Sequence, residues 1–385
     1  MDNQAQILKF LNADTAETRL DNLRGLIASE KAKPEERPQY ANNHIHTIYS
    51  FSPYSPSAAV YFARQAGLTT AGIMDHDTIA GAKEFREAGR IAGVAVTCGM
   101  ECRVDFSQTS LTGRRLNNPD QDGIAYMAVH SVPPQNYGIL QEAFAPLRER
   151  RNKRNIKMVQ NINSLMNPHG ISLDFEKDVL PESQYAWGGT VTERHLLWAL
   201  AVKLIEAGGA EGMAGLLAGL GVALNEGQLS RLSADNPHLR YDLLGILKAE
   251  LIGKIYVPAS DECMTINELV NLAERANAIL CYAYLGDVGD SVTGDKRPER
   301  YEDSYLDELF AVLKQEGVSG VTYMPSRNTS AQIARLRELC AAYGMIEISG
   351  EDINSPKQSF ICEKLSEPGF SHLVQATWRL IERER

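Results

Sequence analysis

The sequence predicts an α/β protein in which a helical domain is inserted into a domain built on a parallel sheet. Three observations lead to this class. After residue 40, short strand-like runs alternate with helical runs; between residues 136 and 254 the strand-like runs vanish; and the alternation returns within residues 255–365. Strands that alternate with helices are typical of βα units and a parallel sheet. We therefore expect one domain, split into residues 40–135 and 255–365, around an inserted helical domain at 136–254.

The element boundaries follow from apolar periodicity and turn residues. Before the insertion we expect a strand into His44 and His46, helices at 57–66 and 80–88, and strands at 70–74 and 94–104. After the insertion we expect strands at 278–283, 320–323 and 345–349, and helices at 305–315 and 330–343. Residues 1–39 should form a helical extension that ends in the polar segment KAKPEERPQ, and residues 366–385 should form a C-terminal helix.

The composition limits the kinds of partner. The 385 residues carry a net charge of −10. A long nucleic acid held by its phosphates needs a broad positive surface, so we expect none as a partner, although a small anion could bind in a local pocket. The apolar stretch 196–224 is interrupted by charged residues and glycines, so we expect no membrane span. The N-terminus lacks the pattern of a signal peptide, and the six cysteines form no CxxC pair, which together favour a cytoplasmic protein with reduced thiols. No pattern indicates an oligomeric state.

Four of the eight histidines fall at the ends of expected strands. His44 and His46 form an HxH pair, and residues two apart on a strand face the same side. His76 ends the next strand, Glu101 lies within the one after it, and His130 ends the apolar run IAYMAVH. The C-terminal ends of parallel strands meet on one face, where such folds build active sites. An isolated HxH pair would indicate no more than two surface histidines, but the ordered set favours a metal site at one rim.

Four segments resemble the successive metal-binding motifs of the PHP (polymerase and histidinol phosphatase) superfamily: HIHTIYS, GLTTAGIMDHDT, CGMECRV and SGEDINSP. The resemblance covers roughly residues 40–135 and 255–360. The tetrapeptide DHDT followed by AGAKEF, and the Arg-rich segment after His130, are especially similar to the branch of nucleoside-monophosphate and nucleotide-bisphosphate phosphatases. The resemblance implies a distorted seven-stranded βα barrel, similar to a TIM barrel, with up to three metal ions at its C-terminal rim.

The resemblance also implies which residues bind the ions. The family pattern places four residues on the first ion: His44, His46, Glu101 and Asp352. Glu101 would bridge to a second ion, which would also take His130 and a histidine whose position here holds Tyr284. A third ion would take His76 with two residues that are substituted here.

The sequence departs from the family pattern at several of these positions. Phe51 stands where the third site expects an aspartate, and Asn354 stands where it expects the histidine of a DxH motif. Asn42 replaces the aspartate that usually precedes the HxH pair. We therefore expect a complete first site, a second site that needs Tyr284 or water as a ligand, and a third site reduced to His76 and the weak amide donor of Asn354. One to two bound ions are expected.

Three imidazoles and two carboxylates make a mixed nitrogen and oxygen site that suits Zn²⁺, Mn²⁺ or Fe²⁺. A bound ion lowers the pKa of a water molecule enough to furnish hydroxide near neutral pH, and it neutralises phosphoryl charge. The expected function is hydrolysis of a small phosphomonoester, with a nucleotide as the first candidate, by metal-activated hydroxide. The alternative is a decayed PHP scaffold that binds a ligand without catalysis, because three expected ligands are substituted. Hydrolysis of a carbon–nitrogen or carboxyl ester bond is a third possibility.

Three further residues are candidates for catalytic roles. Arg327 precedes an expected helix, where an arginine and free backbone amides could receive a phosphate, although a plain helix cap with a solvated arginine explains the pattern equally well. Asp75 and Asp77 flank His76 and could orient imidazoles or assist proton transfer, with helix capping as the competing role of Asp77. The basic run 148–157 is expected to be a solvated, ion-paired helix; drawing phosphorylated substrates to the rim is the alternative.

Overall fold

The computed structural model describes residues 3–288 and 299–385. They fall into two compact units. Unit 1 comprises Met1–Ala145 and Cys263–Arg385, and unit 2 comprises Pro146–Glu262. All the strands of the described residues belong to unit 1.

The sheet of unit 1 follows the order β1-β2-β3-β4-β6-β7-β8, with the short β5 added to β3. The strands are β1 (Asn42–Ile45), β2 (Thr70–His76), β3 (Ala95–Asp105), β4 (Ile124–His130), β5 (Met264–Thr265), β6 (Ile279–Ala283), β7 (Gly320–Tyr323) and β8 (Ile346–Ser349). Beyond β8, Ile353 bridges back to Ile45 on β1. The seven-strand path therefore curls until its two ends meet, which confirms the α/β class and the distorted seven-stranded barrel.

The sheet is mixed, and this differs from the parallel pairing that the sequence suggested. β4 runs antiparallel to both of its neighbours, β3 and β6, whereas the other pairs are parallel. No helix separates Asp105 from Ile124. Strands joined without a crossover helix pair antiparallel, which accounts for the reversal of β4.

Eight helices of unit 1 surround the sheet at the described residues: α1 (Asn3–Leu11), α2 (Ala16–Ser29), α3 (Pro56–Gln65), α4 (Ala82–Ala92), α9 (Ile266–Arg275), α10 (Leu306–Glu316), α11 (Ser330–Tyr343) and α12 (Ser371–Arg383). The expected helix at 330–343 and strand at 320–323 have the bounds predicted from the sequence, and the other expected elements lie within a few residues of theirs.

The N-terminal helices are integral to unit 1. Arg19 of α2 and Glu84 of α4 form a buried ion pair through two hydrogen bonds of 2.9 and 2.6 Å. Glu84 also accepts hydrogen bonds from the backbone amide and the hydroxyl group of Ser57 at the start of α3. A buried charge pair is tolerated only when both partners are satisfied in this way.

Helix α12 is anchored to the strands by polar contacts. The amide of Asn43 donates to Thr377 Oγ1 over 2.7 Å, and Ser131 donates to the carbonyl oxygen of Leu380 over 2.7 Å. The backbone amide of Cys98 donates to the carboxylate of Glu384 over 2.8 Å. The helix thus contacts the residues that directly follow His130 and directly precede His44.

One glycine is required where β8 ends beside β1. A Cβ atom at Gly350 would lie 2.6 Å from both the backbone nitrogen and Cβ of His44. Real Cβ atoms do not approach that closely, so any larger residue would push the segment carrying Asp352 away from the HxH pair.

Unit 2 is helical throughout its described residues. It contains the part of α5 (Tyr137–Met166) that follows Pro146, together with α6 (Glu193–Gly219), α7 (Glu226–Arg231) and α8 (Leu239–Ile255). No helix in the described part of the chain combines the length and the apolar character that a membrane crossing needs.

The basic run on α5 is only partly as expected. Arg151 and Arg154 are buried and form ion pairs with Glu193, and Arg154 also pairs with Glu262 at 2.8 Å. The expected ion pairs are therefore present, but these two guanidinium groups are not solvated. Carboxylates of the same unit compensate their charge, which is what allows them to be buried.

Candidate metal centre

The candidate ligands reach one end of the barrel from four places in the sequence. His44 belongs to β1 and His46 follows it, His76 is the last residue of β2, and Glu101 lies on β3 directly opposite His76. Asp352 follows β8, next to the residue that bridges to β1. The alternation of side chains along a strand brings His44 and His46 to the same side.

Glu101 is the centre of this arrangement. Its Oε1 atom lies 3.3 Å from His44 Nε2, 3.2 Å from His46 Nε2 and 3.1 Å from His76 Nδ1. The rings of His46 and His76 are stacked, with centroids 4.6 Å apart. Three imidazole nitrogens therefore point at one buried carboxylate oxygen.

Asp352 completes the cluster on the other side of His46. Its Oδ1 atom lies 3.2 Å from His46 Nε2. The candidate ligand atoms form two groups, and within each group all the atoms lie within 4.8 Å of one another. The first group is His44, His46 and Asp352, and the second is His46, His76 and Glu101. The side chain of Asp352 is 40% exposed and that of His76 is 22% exposed, so solvent and small molecules can reach the cluster at these two residues.

The carboxylates of the cluster favour a positive charge beside them. Burial opposes ionisation of Glu101 and Asp352, but the nearby imidazoles outweigh it and hold both carboxyl pKa values below their usual range. Burial likewise opposes protonation of His46, yet the two carboxylates raise the pKa of His46 to about 10. The two carboxylates thus favour a positive charge at His46, which a bound cation would also supply.

The donor set fits a divalent metal ion. His46 Nε2 is buried and makes no hydrogen bond within the described residues, although two carboxylate oxygens lie 3.2 Å away. An imidazole nitrogen that is close to carboxylates but not aligned for hydrogen bonding is arranged as a metal ligand is. Nitrogen and carboxylate donors suit Zn²⁺, Mn²⁺ or Fe²⁺.

His130 lies near this cluster, but it is not placed there by a parallel strand that ends at the rim, as the sequence predicted. Because β4 is antiparallel, its last residue pairs with Ile279, the first residue of β6, and so does not lie at the rim with the ends of β2 and β3. Val129 pairs with Met100, however, so His130 still lies close to Glu101 in the middle of β3. Burial and the charge of His44 lower the pKa of His130 to about 3. Its Nε2 is buried without a hydrogen bond to any described residue.

Asp75 is buried and holds the segment that follows the HxH pair through hydrogen bonds. Its buried carboxylate accepts hydrogen bonds from the backbone amide and hydroxyl group of Thr47, at 2.7 and 2.6 Å, and from Ser50 Oγ at 2.6 Å. Ser50 Oγ lies 3.3 Å from His46 Nδ1. Since the hydroxyl proton of Ser50 goes to Asp75, Nδ1 of His46 must donate to Ser50, which leaves Nε2 as the ligand atom.

Two residues that follow candidate ligand histidines have left-handed backbone conformations. Asp77 has a φ of 52° and Ser131 has a φ of 55°. The backbone amide of Asp77 donates to the carbonyl oxygen of Glu101 over 2.8 Å. Such strain persists only where the surroundings impose it, and it is common at functional sites. The carboxylate of Asp77 is mostly buried.

The substituted positions do not present the groups that the family pattern expects. The amide of Asn354 donates to Asp352 Oδ1 over 2.6 Å, so it orients a candidate ligand. The hydroxyl group of Tyr284 donates to Asp303 over 2.6 Å, and burial and that carboxylate raise the pKa of Tyr284. Phe51 is buried, with a φ of 141° that favours glycine.

Arg327 donates from Nε to the carbonyl oxygen of Leu285.

Sequence analysis missed two residues next to the cluster. Ser50 orients His46, and the only signal for it was its place four residues after that histidine in HIHTIYS. Tyr126 on β4 has its ring centroid 5.9 Å from that of His76. Its position became visible only with the antiparallel register of β3 and β4, which pairs it with Arg103.

The fold and the cluster define a barrel protein with a mixed nitrogen and oxygen cluster that could hold a metal ion. Residues 42–197 match the model of the PHP domain family. No curated protein matches the chain.

Two solved structures share the fold. A protein of Bifidobacterium adolescentis, described as a metal-dependent phosphoesterase, is 21% identical with a TM-score of 0.56, over 90% of this chain and 98% of that one. An amidohydrolase of Chromobacterium violaceum, solved with bound sulfate and no metal, is 15% identical with a TM-score of 0.58, over 89% and 96% of the two chains. At these identities the likeness shows the fold alone.

Proposed function

We propose that this chain is a metal-dependent phosphoesterase that hydrolyses a small phosphomonoester, with a nucleotide as the expected substrate. One observation carries the proposal: three imidazole nitrogens surround Glu101 Oε1 at 3.1–3.3 Å, beside the carboxylate of Asp352. The PHP domain match and the phosphoesterase from Bifidobacterium adolescentis support the same class of reaction.

In this proposal His44, His46, Glu101 and Asp352 hold the first ion, with Zn²⁺, Mn²⁺ or Fe²⁺ as candidates. Glu101 and His130 contribute to a second, and His76 belongs to a reduced third site. When bound, a divalent ion supplies water activation and neutralises charge on the phosphoryl oxygens.

The chain itself supplies orientation and access. Asn354 fixes Asp352, and the pair Ser50 and Asp75 fixes the ring of His46 with Nε2 toward the cluster. Asp75 thus acts as a positioning residue in our proposal, whereas Arg327 remains a candidate for phosphate contact and Asp77 for proton transfer. The substrate enters where Asp352 and His76 are exposed. A small phosphorylated metabolite fits the acidic composition better than a long nucleic acid does, and the free cysteines fit a cytoplasmic location.

The test combines metal analysis with turnover. Purified protein should contain one to two equivalents of divalent metal and release phosphate from nucleoside monophosphates or bisphosphates. His44→Ala should lose both properties, whereas His238→Ala, in unit 2, should keep both. Metal-replete protein that is inactive on a broad panel of phosphomonoesters would contradict the proposal, and activity on amides or carboxyl esters in the same panel would replace it.

A second candidate function is a ligand-binding module on a PHP scaffold that no longer catalyses. The specific observation in its favour is that Asn354 and Tyr284 are committed to Asp352 and Asp303, and that Phe51 offers no ligand atom. Ligand binding without turnover in the metal-loaded protein would support it. Metal-dependent turnover that disappears in His44→Ala would exclude it.

A further inference from the structure

We infer that Arg103 binds the phosphoryl group of the substrate; this inference rests on the proposed phosphoesterase function. Arg103 lies on β3, two residues after Glu101. Residues two apart on a strand face the same side, roughly 6.5–7 Å apart along the strand. The guanidinium group therefore emerges on the inner face of the barrel that carries the candidate metal ligands.

The register of the strands places Arg103 on the solvent side of the cluster. The last residue of β2, His76, pairs with Glu101. β3 continues to Asp105, so Arg103 belongs to the part of β3 that extends beyond the end of β2. This is the side on which His76 is exposed, and hence the side from which a substrate reaches the cluster.

The neighbouring strand gives independent support for this orientation. Arg103 pairs with Tyr126 on β4, and residues paired across two antiparallel strands project from the same face. The ring of Tyr126 lies 5.9 Å from the ring of His76, so that face is the one that bears the cluster. Arg103, Tyr126 and His76 therefore border one space.

The chemistry of arginine suits this position. Arg103 is only 5% exposed, and its planar guanidinium group can bind two oxygens of a phosphoryl group at once. A charged group on the solvent side of the ligands would draw the phosphoryl group toward the cluster. Lysine offers a point charge and cannot reproduce the bidentate contact.

The competing role for Arg103 is structural. Burial and Asp77 raise the pKa of the Cys102 thiol, whereas Arg103 lowers it, so the two opposite charges lie near the same residue. An arginine that serves only to balance a carboxylate would affect folding stability but not the affinity for phosphate. The experiment therefore measures the two properties separately.

The test uses metal-loaded full-length protein and inorganic phosphate as the probe. Titration calorimetry gives the Kd of phosphate for the wild type, Arg103→Met and Arg103→Lys, and melting temperatures are recorded with and without phosphate. Arg64→Met is the matched control, because Arg64 is a buried arginine of unit 1 that pairs with Glu30 at 2.6 Å. Metal content is measured for every variant.

We expect Arg103→Met to weaken phosphate binding by about 10- to 100-fold, as for the loss of a charged hydrogen-bonded contact, and to abolish the rise in melting temperature that phosphate causes. Arg103→Lys should fall between this variant and the wild type, and it keeps the assay informative if Arg103→Met does not fold. Arg64→Met should bind phosphate as the wild type does. A phosphate Kd within about twofold of the wild type in both Arg103 variants, with metal content unchanged, would overturn the inference.

The experiment distinguishes failure of the inferred role of Arg103 from failure of the proposed phosphoesterase function. Turnover of phosphomonoesters with phosphate binding unaffected in the Arg103 variants overturns only the role of Arg103. Phosphate binding that depends on Arg103, without turnover of any phosphomonoester, supports that role and contradicts the proposed reaction. A wild-type protein that binds no phosphate overturns the role of Arg103 directly.

Discussion

The amide of Asn354 donates a 2.6 Å hydrogen bond to the same oxygen of Asp352 that lies 3.2 Å from His46 Nε2. A residue that the family pattern would make a ligand here holds the proposed ligand Asp352 in place. Asn354→Ala should therefore weaken metal binding by about 10- to 100-fold, the usual range for outer partners of metal ligands. Competition with a chromophoric chelator measures the affinity. Asn271→Ala, at an exposed position on α9, should leave it unchanged; equal affinities for both variants would show that Asp352 needs no such support.

Ser50 links His46 to Asp75, and its removal should disturb one imidazole alone. In Ser50→Ala, His46 Nδ1 loses its partner and Asp75 keeps two of its three hydrogen bonds. We expect metal affinity to fall by about tenfold. Metal titration monitored by protein stability checks this, and an unchanged affinity would mean that ring stacking on His76 suffices to orient His46.

The ion pair between Arg19 and Glu84 should be one of the most sensitive points of unit 1. Glu84→Ala leaves a buried guanidinium group without its partner, so we expect the free energy of unfolding to fall by about 3–5 kcal/mol. Urea unfolding followed by circular dichroism gives the value. Glu87→Ala, on the same helix but in partly exposed ion pairs, should cost less than about 1 kcal/mol. Similar losses in the two variants would argue against a special role of the buried pair.

Glu384 should make the stability of unit 1 depend on pH. Burial raises its pKa to about 7, against the opposing effect of hydrogen bonds from Thr97, Cys98 and Arg86. An acid whose pKa is raised in the folded state binds more protons when folded, so its contribution falls as pH rises from about 4.5 to 7 and is constant above that. Over this window the loss is up to about 3 kcal/mol.

Urea midpoints at pH 5 and 7.5 test this expectation. Glu384→Gln should show a smaller decrease between the two pH values than the wild type does, and Glu382→Gln, exposed on the same helix, should behave as the wild type. Glu302, whose pKa burial also raises to about 7, will contribute a remaining decrease. An unaltered pH dependence in Glu384→Gln would assign the whole effect to other groups.

The sequence allowed prediction of those features that depend on local pattern. β7 and α11 have the predicted bounds because apolar periodicity and a Thr329 cap with Gln332 mark them clearly. His44, His46, His76, Glu101 and Asp352 meet because each stands in or directly after a strand, and the family motifs supplied the order.

Features that depend on pairing between distant segments could not be predicted in the same way. The antiparallel direction of β4 decides that His130 lies beside the middle of β3 and that Tyr126 faces His76. Neither is encoded in the spacing of IAYMAVH. The commitment of Asn354 to Asp352 and of Tyr284 to Asp303 likewise depends on side-chain geometry. A motif shows which residue is substituted but not which partner the new residue takes.

The anchoring of α12 also determines when the centre can form during synthesis. Asn43, next to His44, is separated from Thr377 by 334 residues, and the contact of Ser131 with Leu380 spans 249. A ribosome that has released the whole HxH segment and unit 2 has still to make both Asp352 and the helix that fixes the strands. Contacts of such long sequence separation form late and slowly. Until then the early histidines remain on an incomplete sheet, so the nascent chain should acquire tight binding at the proposed metal centre only after α12 leaves the exit tunnel.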